Sequence, residues 1–232
     1  MLNAVTTDKF FSSEITEVIK GADYSIVNFE APIETHFKPI KKAGPHKKQK
    51  IDTVSTLKEV GFDLLLLANN HILDYGKEGL KSTLDECHKY SLKTIGAELS
   101  IEKAYTPLIV DIEGVKFGFI NASEAQFGAL TTNENAPGYA WINHQRINEG
   151  IVQLRESECV DFIIFFAHAG LEHYDIPLIE WRNRYRELCD LGVDCVIGSH
   201  PHIPQGYEKY GDKMIFYSLG NFYFPKEDKQ DK

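Results

Sequence analysis

A chain of 232 residues with 43% hydrophobic and 12% aromatic side chains is long enough to bury one substantial core, and one domain is expected. Its net charge of −9 excludes the broad basic footprint that nucleic acid or an anionic membrane surface requires. The four cysteines, Cys87, Cys159, Cys189 and Cys195, form no CxxC pair, which excludes a zinc ribbon or disulfide framework and predicts buried free thiols in a reducing, cytoplasmic setting.

No run of about eighteen apolar residues marks a membrane span. The opening "MLNAVTTDKFF" lacks the basic-then-apolar order of a secretory leader. From there the elements follow in chain order. "YSIVNFE" (24–30) is a short continuous apolar run, the pattern of a strand covered on both faces, and it ends in Glu30. "THFKPIKKAGPHKKQK" (35–50) carries no element signal, but it gathers Lys38, Lys41, Lys42, Lys47, Lys48 and Lys50 in an otherwise acidic chain. Such a run is ordinarily a solvated loop; here it is also able to steer an anionic substrate, through Lys47 and Lys48 in particular.

"VSTLKEVG" (54–61) is amphipathic and closes on glycine as helices do. "FDLLLLANN" (62–70) predicts a second buried strand, and "GLKSTLDECHKYS" (79–91) a second helix. "PLIVDIEGVKFGFINAS" (107–123) reads as a hairpin turning at Glu113-Gly114. "AQFGALTTNENAPGYAW" (125–141) is expected to be a long loop. "INHQRINEGIVQLRES" (142–157) predicts a helix and "DFIIFFAH" (161–168) a strand. In "LIEWRNRYRELCDLG" (178–192), Trp181, Tyr185 and Leu188 recur at helical spacing and face a sheet, with Arg182, Arg184 and Arg186 outside. "DCVIGSH" (194–200) and "MIFYSLGNF" (214–222) complete the strands, and Tyr207, Tyr210 and Tyr217 are assigned to packing. Strands alternating with helices define a layered α/β fold.

His71, His168, His200 and His202 each follow a predicted strand or stand in the turn just after one. In open α/β sheets the carboxyl ends of strands form the ligand crevice, so Glu30, Asn70, His71, His168, His200 and His202 are candidates to converge there. A lone histidine at a strand end is usually just hydrogen-bonded; four with a carboxylate and an amide suit a divalent metal with nitrogen and oxygen ligands. In "SHPH", His200 and His202 are expected on one side of an extended backbone. For Asn69 and Asn70 the plain alternative is turn chemistry.

Five ordered motifs, "ADYSIVNFEAPI", "GFDLLLLANNHILDYG", "HAGLEHYDIP", "GSHPHIPQGYE" and "YSLGNF", resemble the poly-γ-glutamate capsule-biosynthesis (CapA-like) family, a branch of the calcineurin-like metallophosphoesterases, from about Gly21 to Phe224. The resemblance implies a four-layer α/β/β/α sandwich and one or two divalent ions, Mn, Fe or Zn. It implies Glu30 as bridging carboxylate, Asn70, His168, His200 and His202 as further ligands, His71 as the acid beside the substrate, and Asp74 as its orienting partner. Asn28, Glu172, His173 and Asn221 fall in family motifs and are assigned to the substrate side.

The family normally opens with a strand ending in Gly-Asp. Here Asp8 follows no apolar strand, and "PKEDKQDK" ends the chain in charge, so residues 1–232 are expected to be one domain truncated at both ends. The site around Asn70, His168 and His200 is then expected to outlast the one holding His202 and Glu30. The activity implied is hydrolysis of an anionic small-molecule or polymer substrate, a phosphoester or a glutamate-polymer amide. The alternatives are a non-catalytic assembly protein of capsule synthesis and a homodimer covering an exposed sheet edge. A longer parent of this chain would be open to membrane association.

Overall fold

The structure, a computed structural model, describes residues 11–130 and 135–223, leaving Asp8, Phe224 and the charged 225–232 segment outside the described residues. The first element among the described residues is α1 (Ser13–Lys20), capped by Ser12, whose Oγ accepts from the Ile15 amide at 3.4 Å. Then come β1 (Ile26–Asn28), α2 (Thr53–Val60), β2 (Leu64–Leu66), α3 (Gly76–Lys89), β3 (Lys93–Ile95), β4 (Ala97–Glu98) and α4 (Ile101–Ala104). The hairpin β5 (Leu108–Ile112) and β6 (Val115–Ser123) turns at Glu113 and Gly114, both at positive φ as a two-residue loop between twisted strands requires. β7 (Ala129–Leu130), β8 (Gly138–Ala140), α5 (Gln145–Glu156), β9 (Phe162–His168), α6 (Ile179–Leu191), β10 (Cys195–Ser199), β11 (Tyr207–Tyr210) and β12 (Lys213–Phe216) follow.

β1, β2 and β3 form a parallel sheet in that order. A six-stranded sheet runs β11-β12-β10-β9-β6-β5, parallel through its four central strands and antiparallel at both edges. Period-two alternation decides which residues fill which layer. Leu65 packs under α1–α3 with Ile19, Val54, Leu57 and Leu80, while Leu64 and Leu66 face the other sheet and meet Phe119 and Phe166. On β9, Ile163 and Phe165 point the opposite way, under α5 and α6 with Ile151, Leu154, Tyr185 and Leu188. The result is helix, sheet, sheet, helix: the four-layer sandwich.

One polar side chain ties the two sheets. Asn121 on β6 is buried, accepts from the Ala68 amide at 2.8 Å and donates to the Phe166 carbonyl at 3.1 Å. Gly96 makes room for it: a Cβ there would lie 2.2 Å from the Asn121 Oδ1.

Several expectations are corrected. The 125–141 stretch is no plain loop, because β7 and β8 pair with β4 into a third small sheet, although 131–134 lie outside the described residues. Cys159 is exposed, unlike the other three thiols. Arg184 is largely covered and ties α6 to α5, donating to the Ile142 carbonyl at 2.8 Å and to Asn148 at 2.7 Å. Tyr207 is 72% exposed and packs little, whereas Tyr217 is buried against Tyr185. Among the described residues no helix is long and apolar enough to cross a membrane.

Candidate metal centre

Glu30 lies two residues past β1, His71 five past β2, Glu124 directly past β6, His168 at the end of β9 and His200 directly past β10. The shared strand direction carries them to one rim. Glu30, Asn70, His71, Asp74, His168 and His200 are all buried, an unusual concentration of polar side chains that demands partners.

Three donor atoms meet closely. His168 Nε2 lies 3.2 Å from Asn70 Oδ1 and 3.1 Å from His200 Nδ1. The tautomer of His168 follows from its other nitrogen. Ser199 Oγ gives its hydrogen to the Ala167 carbonyl at 3.1 Å, so at 3.2 Å from His168 Nδ1 it accepts, and the Nε2 lone pair is left facing the amide oxygen and the second imidazole. Burial, then the neighbouring His200, His202 and His71, hold His168 well below the ordinary imidazole range. Burial lowers His200 too, against the opposing pull of Glu124, Glu30 and Glu172. Two buried imidazoles that resist protonation, one lone pair aimed at the other ring, fit a cation.

Glu30 adds a second sign. Its Oε2 accepts from Asn28 Nδ2 at 3.4 Å and its backbone carbonyl from Gln49 Nε2 at 2.7 Å, but its Oε1 is buried without a hydrogen-bond partner. A buried carboxylate oxygen left so is costly unless a cation meets it. Glu30, Asn28, His200, His202 and Asn221 border one cavity of about 540 Å³ between the sheets. His202 Nδ1 donates to Asn221 Oδ1 at 2.9 Å, and its ring lies 6.1 Å from that of His200 and 5.9 Å from that of His173. Among the described residues no three His, Cys, Asp or Glu side chains are grouped to hold a metal ion; the tight trio includes an amide, Asn70.

His71 belongs to a neighbouring cluster. Its Nδ1 lies 2.8 Å from Asp74 Oδ2, and Asn69 Oδ1 accepts from its backbone amide at 3.2 Å. Asn69 is wholly buried and also donates to the Phe29 and Leu67 carbonyls at 3.0 and 3.1 Å, so it fastens the ends of β1 and β2 together. Lys47 reaches the site by its backbone, donating to Asp74 Oδ2 at 2.6 Å; Lys48 and Glu172 are exposed.

The backbone around "SHPH" is not extended. His200 has φ 100° and His202 φ 62°, with Ala31 at 92° and His173 at 61° nearby. The two imidazoles become neighbours through a left-handed turn, not through strand alternation.

Two side chains escaped the sequence reading. Glu124 places Oε1 3.7 Å from His200 Nε2 and accepts from the Gly170 amide at 3.2 Å. It ends an apolar strand just as Glu30 does, so the same rule would have found it. Lys42 contacts Asp74 and has a side chain only 3% exposed, and nothing local distinguishes it from the other lysines of its loop.

Facing sheets flanked by helices, with histidines and carboxylates at one rim, are the fold of the calcineurin-like metallophosphoesterases. Similar solved folds are a hypothetical protein of Thermus thermophilus (TM-score 0.54, 16% identity, 89% of this chain and 68% of that one) and the NAD nucleotidase of Haemophilus influenzae (TM-score 0.50, 13% identity, 72% and 36%). The chain belongs to the bacterial capsule synthesis protein family PGA_cap, whose model matches residues 3–226. It is 32% identical over 232 aligned residues to the capsule biosynthesis protein CapA of Bacillus anthracis, covering 97% of this chain and 56% of that protein. It is 30% identical over 213 residues to the PGA biosynthesis protein CapA of Bacillus subtilis, covering 90% and 55%. The chain thus spans about half the length of these relatives.

Proposed function

We propose that this chain is a metal-dependent hydrolase acting on an anionic substrate of capsule-polymer metabolism, a phosphoester or a γ-glutamyl amide. The observation that carries the proposal is the lone pair of His168 Nε2 aimed at Asn70 Oδ1 and His200 Nδ1, with the His71–Asp74 pair next to it. Asn70, His168 and His200 would hold one divalent ion, and Glu30 with His202 would face a second. When bound, such ions lower the pKa of water and stabilise charge developing on a phosphoryl or carbonyl oxygen.

The remaining work falls to side chains. Asp74 accepts from His71 Nδ1 and fixes the ring, so that Nε2 is the atom presented to the rim, where it takes up a proton and returns it to the leaving group. Asn28 braces Glu30, and Asn221 braces His202. Ile26, Leu66 and Phe166 give the cavity beside the rim its apolar walls.

The test is turnover of bis-p-nitrophenyl phosphate and of poly-γ-glutamate, with and without Mn(II), Fe(II) or Zn(II), for the chain and for His71→Ala. Metal-dependent turnover of one substrate, lowered about 10²- to 10⁴-fold by His71→Ala, is expected. Turnover indifferent to metal or to His71 overturns the proposal. A non-catalytic accessory role is the second reading. It is favoured by the absence, among the described residues, of any group of three His, Cys, Asp or Glu side chains suited to a metal. Relatives in Mycobacterium tuberculosis, 22% identical over 218 residues, are named as probable polyglutamine synthesis accessory proteins. Binding of metal and polymer without turnover would select it.

A further inference from the structure

We propose that Lys42 is a positioning residue for His71, acting through Asp74. The 35–50 segment forms no helix, yet it is laced to the start of α3. The Ile40 amide donates to the Asp74 carbonyl at 2.9 Å, and the His46 ring donates from Nε2 to the Ile40 carbonyl at 2.7 Å. The Lys47 amide reaches Asp74 Oδ2 at 2.6 Å, and Lys42 Nζ contacts Asp74 Oδ1. The side chains of Lys42 and Asp74 are 3% and 1% exposed, and the Lys42 ammonium also sits 5.5 Å from the Phe127 ring centre. A lysine of a solvated loop would be in water; this one is enclosed with its counter-charge.

The geometry fixes what the pair does. Asp74 is held at both oxygens, Oδ1 by Lys42 and Oδ2 by the Lys47 amide, so the carboxylate cannot rotate and Oδ2 stays opposite His71 Nδ1. Lys42 Nζ lies 3.3 Å from Nδ1, farther than the carboxylate at 2.8 Å. An ionised carboxylate only accepts, so Nδ1 carries the hydrogen and Nε2 is presented to the rim. Lys42 also balances the charge of Asp74, so His71 faces a neutral ion pair and not a lone buried anion.

The kinetic part of this inference rests on the hydrolase reading; the spectroscopic part does not. Lys42→Met, Lys42→Arg and the exposed control Lys58→Met are compared with the wild-type chain, all labelled with ¹⁵N-histidine. Two-bond proton–nitrogen correlations are expected to report the Nδ1–H form of His71 in the wild type, in Lys42→Arg and in the control, and displaced, broadened His71 nitrogen signals in Lys42→Met, where the carboxylate is free to rotate. In turnover, Lys42→Met is expected to lower kcat about ten- to hundred-fold with KM unchanged, and Lys42→Arg to restore most of it. Unaltered His71 signals in Lys42→Met overturn the proposal. So does a fall in activity that arginine fails to rescue and that matches a loss of folded protein by circular dichroism. Should Lys42→Met not fold, Lys42→Gln, which retains a donor without the charge, is read by the same two measurements. If the wild type turns over neither substrate, the hydrolase reading fails while the tautomer result still decides the role of Lys42.

Discussion

The two buried imidazoles of the trio make acid the enemy of the metal-free fold. His168 and His200 both titrate below the imidazole value of 6.5, chiefly because burial disfavours their charged forms. The unfolded chain therefore takes up protons below about pH 6.5 that the folded chain refuses, and stability falls as pH drops through that point. The loss is about 1.4 kcal/mol per pH unit for each histidine, continuing until its folded-state value is reached. Urea midpoints in EDTA at pH 7.5 and 5.5 test this: the lower pH should give the lower midpoint, and replacing both histidines by glutamine should flatten the difference. An unchanged slope in that double variant would show that other groups carry it. At this scale the sequence pointed to Glu30, His71, His168 and His200 because one rule, polar groups at carboxyl ends, covers them, and Glu124 falls under the same rule though it was passed over. It was silent on Lys42, whose partner Asp74 is 32 residues away, and no local pattern separates an enclosed lysine from a solvated one.

Elements were legible in proportion to their burial. β2, β9 and β10 stand out as continuous apolar runs because a sheet covered on both sides needs no polar face. β3 and β11 were missed for the converse reason: Lys93 and Glu208 interrupt short strands that are partly open to solvent. β7 and β8 are two and three residues long, below what periodicity can register. β10 also sets the site through one close approach. A Cβ on Gly198 would fall 2.0 Å from the Tyr217 carbonyl oxygen, so the chain after β12 presses against β10 only because that position is glycine. Gly198→Ala is therefore expected to cost about 3 kcal/mol, at the upper end for overpacking because backbone must move. On the proposed function it should also weaken the binding of added divalent metal, since Ser199 and His200 shift with the strand. Thermal melting and isothermal titration check the two effects. A normal melt with normal metal affinity would mean that the approach is not needed.

At the scale of the whole molecule, the rim is assembled from two sheets that share no backbone ladder, so their relative placement is a matter of the apolar layer between them and of Asn121. Removing that amide leaves the Ala68 N–H and the Phe166 carbonyl without their side-chain partner. Asn121→Ala is expected to cost about 3 kcal/mol and to speed amide exchange at Ala68 more than at Leu65 in the middle of β2. Equal protection of both amides in the variant would argue that the apolar layer alone holds the sheets in place. The four layers themselves were legible from the alternation of strands and helices together with the family motifs, whereas the buried amide clamp has no signature in a chain read one residue at a time.

His200 and His202 sit where the main chain turns through angles that a side chain resists and glycine accepts freely. On foldability alone, glycine would be the preferred occupant of both positions, and His200→Gly should melt higher than His200→Ala. That imidazoles stand there instead means the chain tolerates a local steric penalty to keep two nitrogens at the mouth of the cavity, as strained residues at working sites characteristically do.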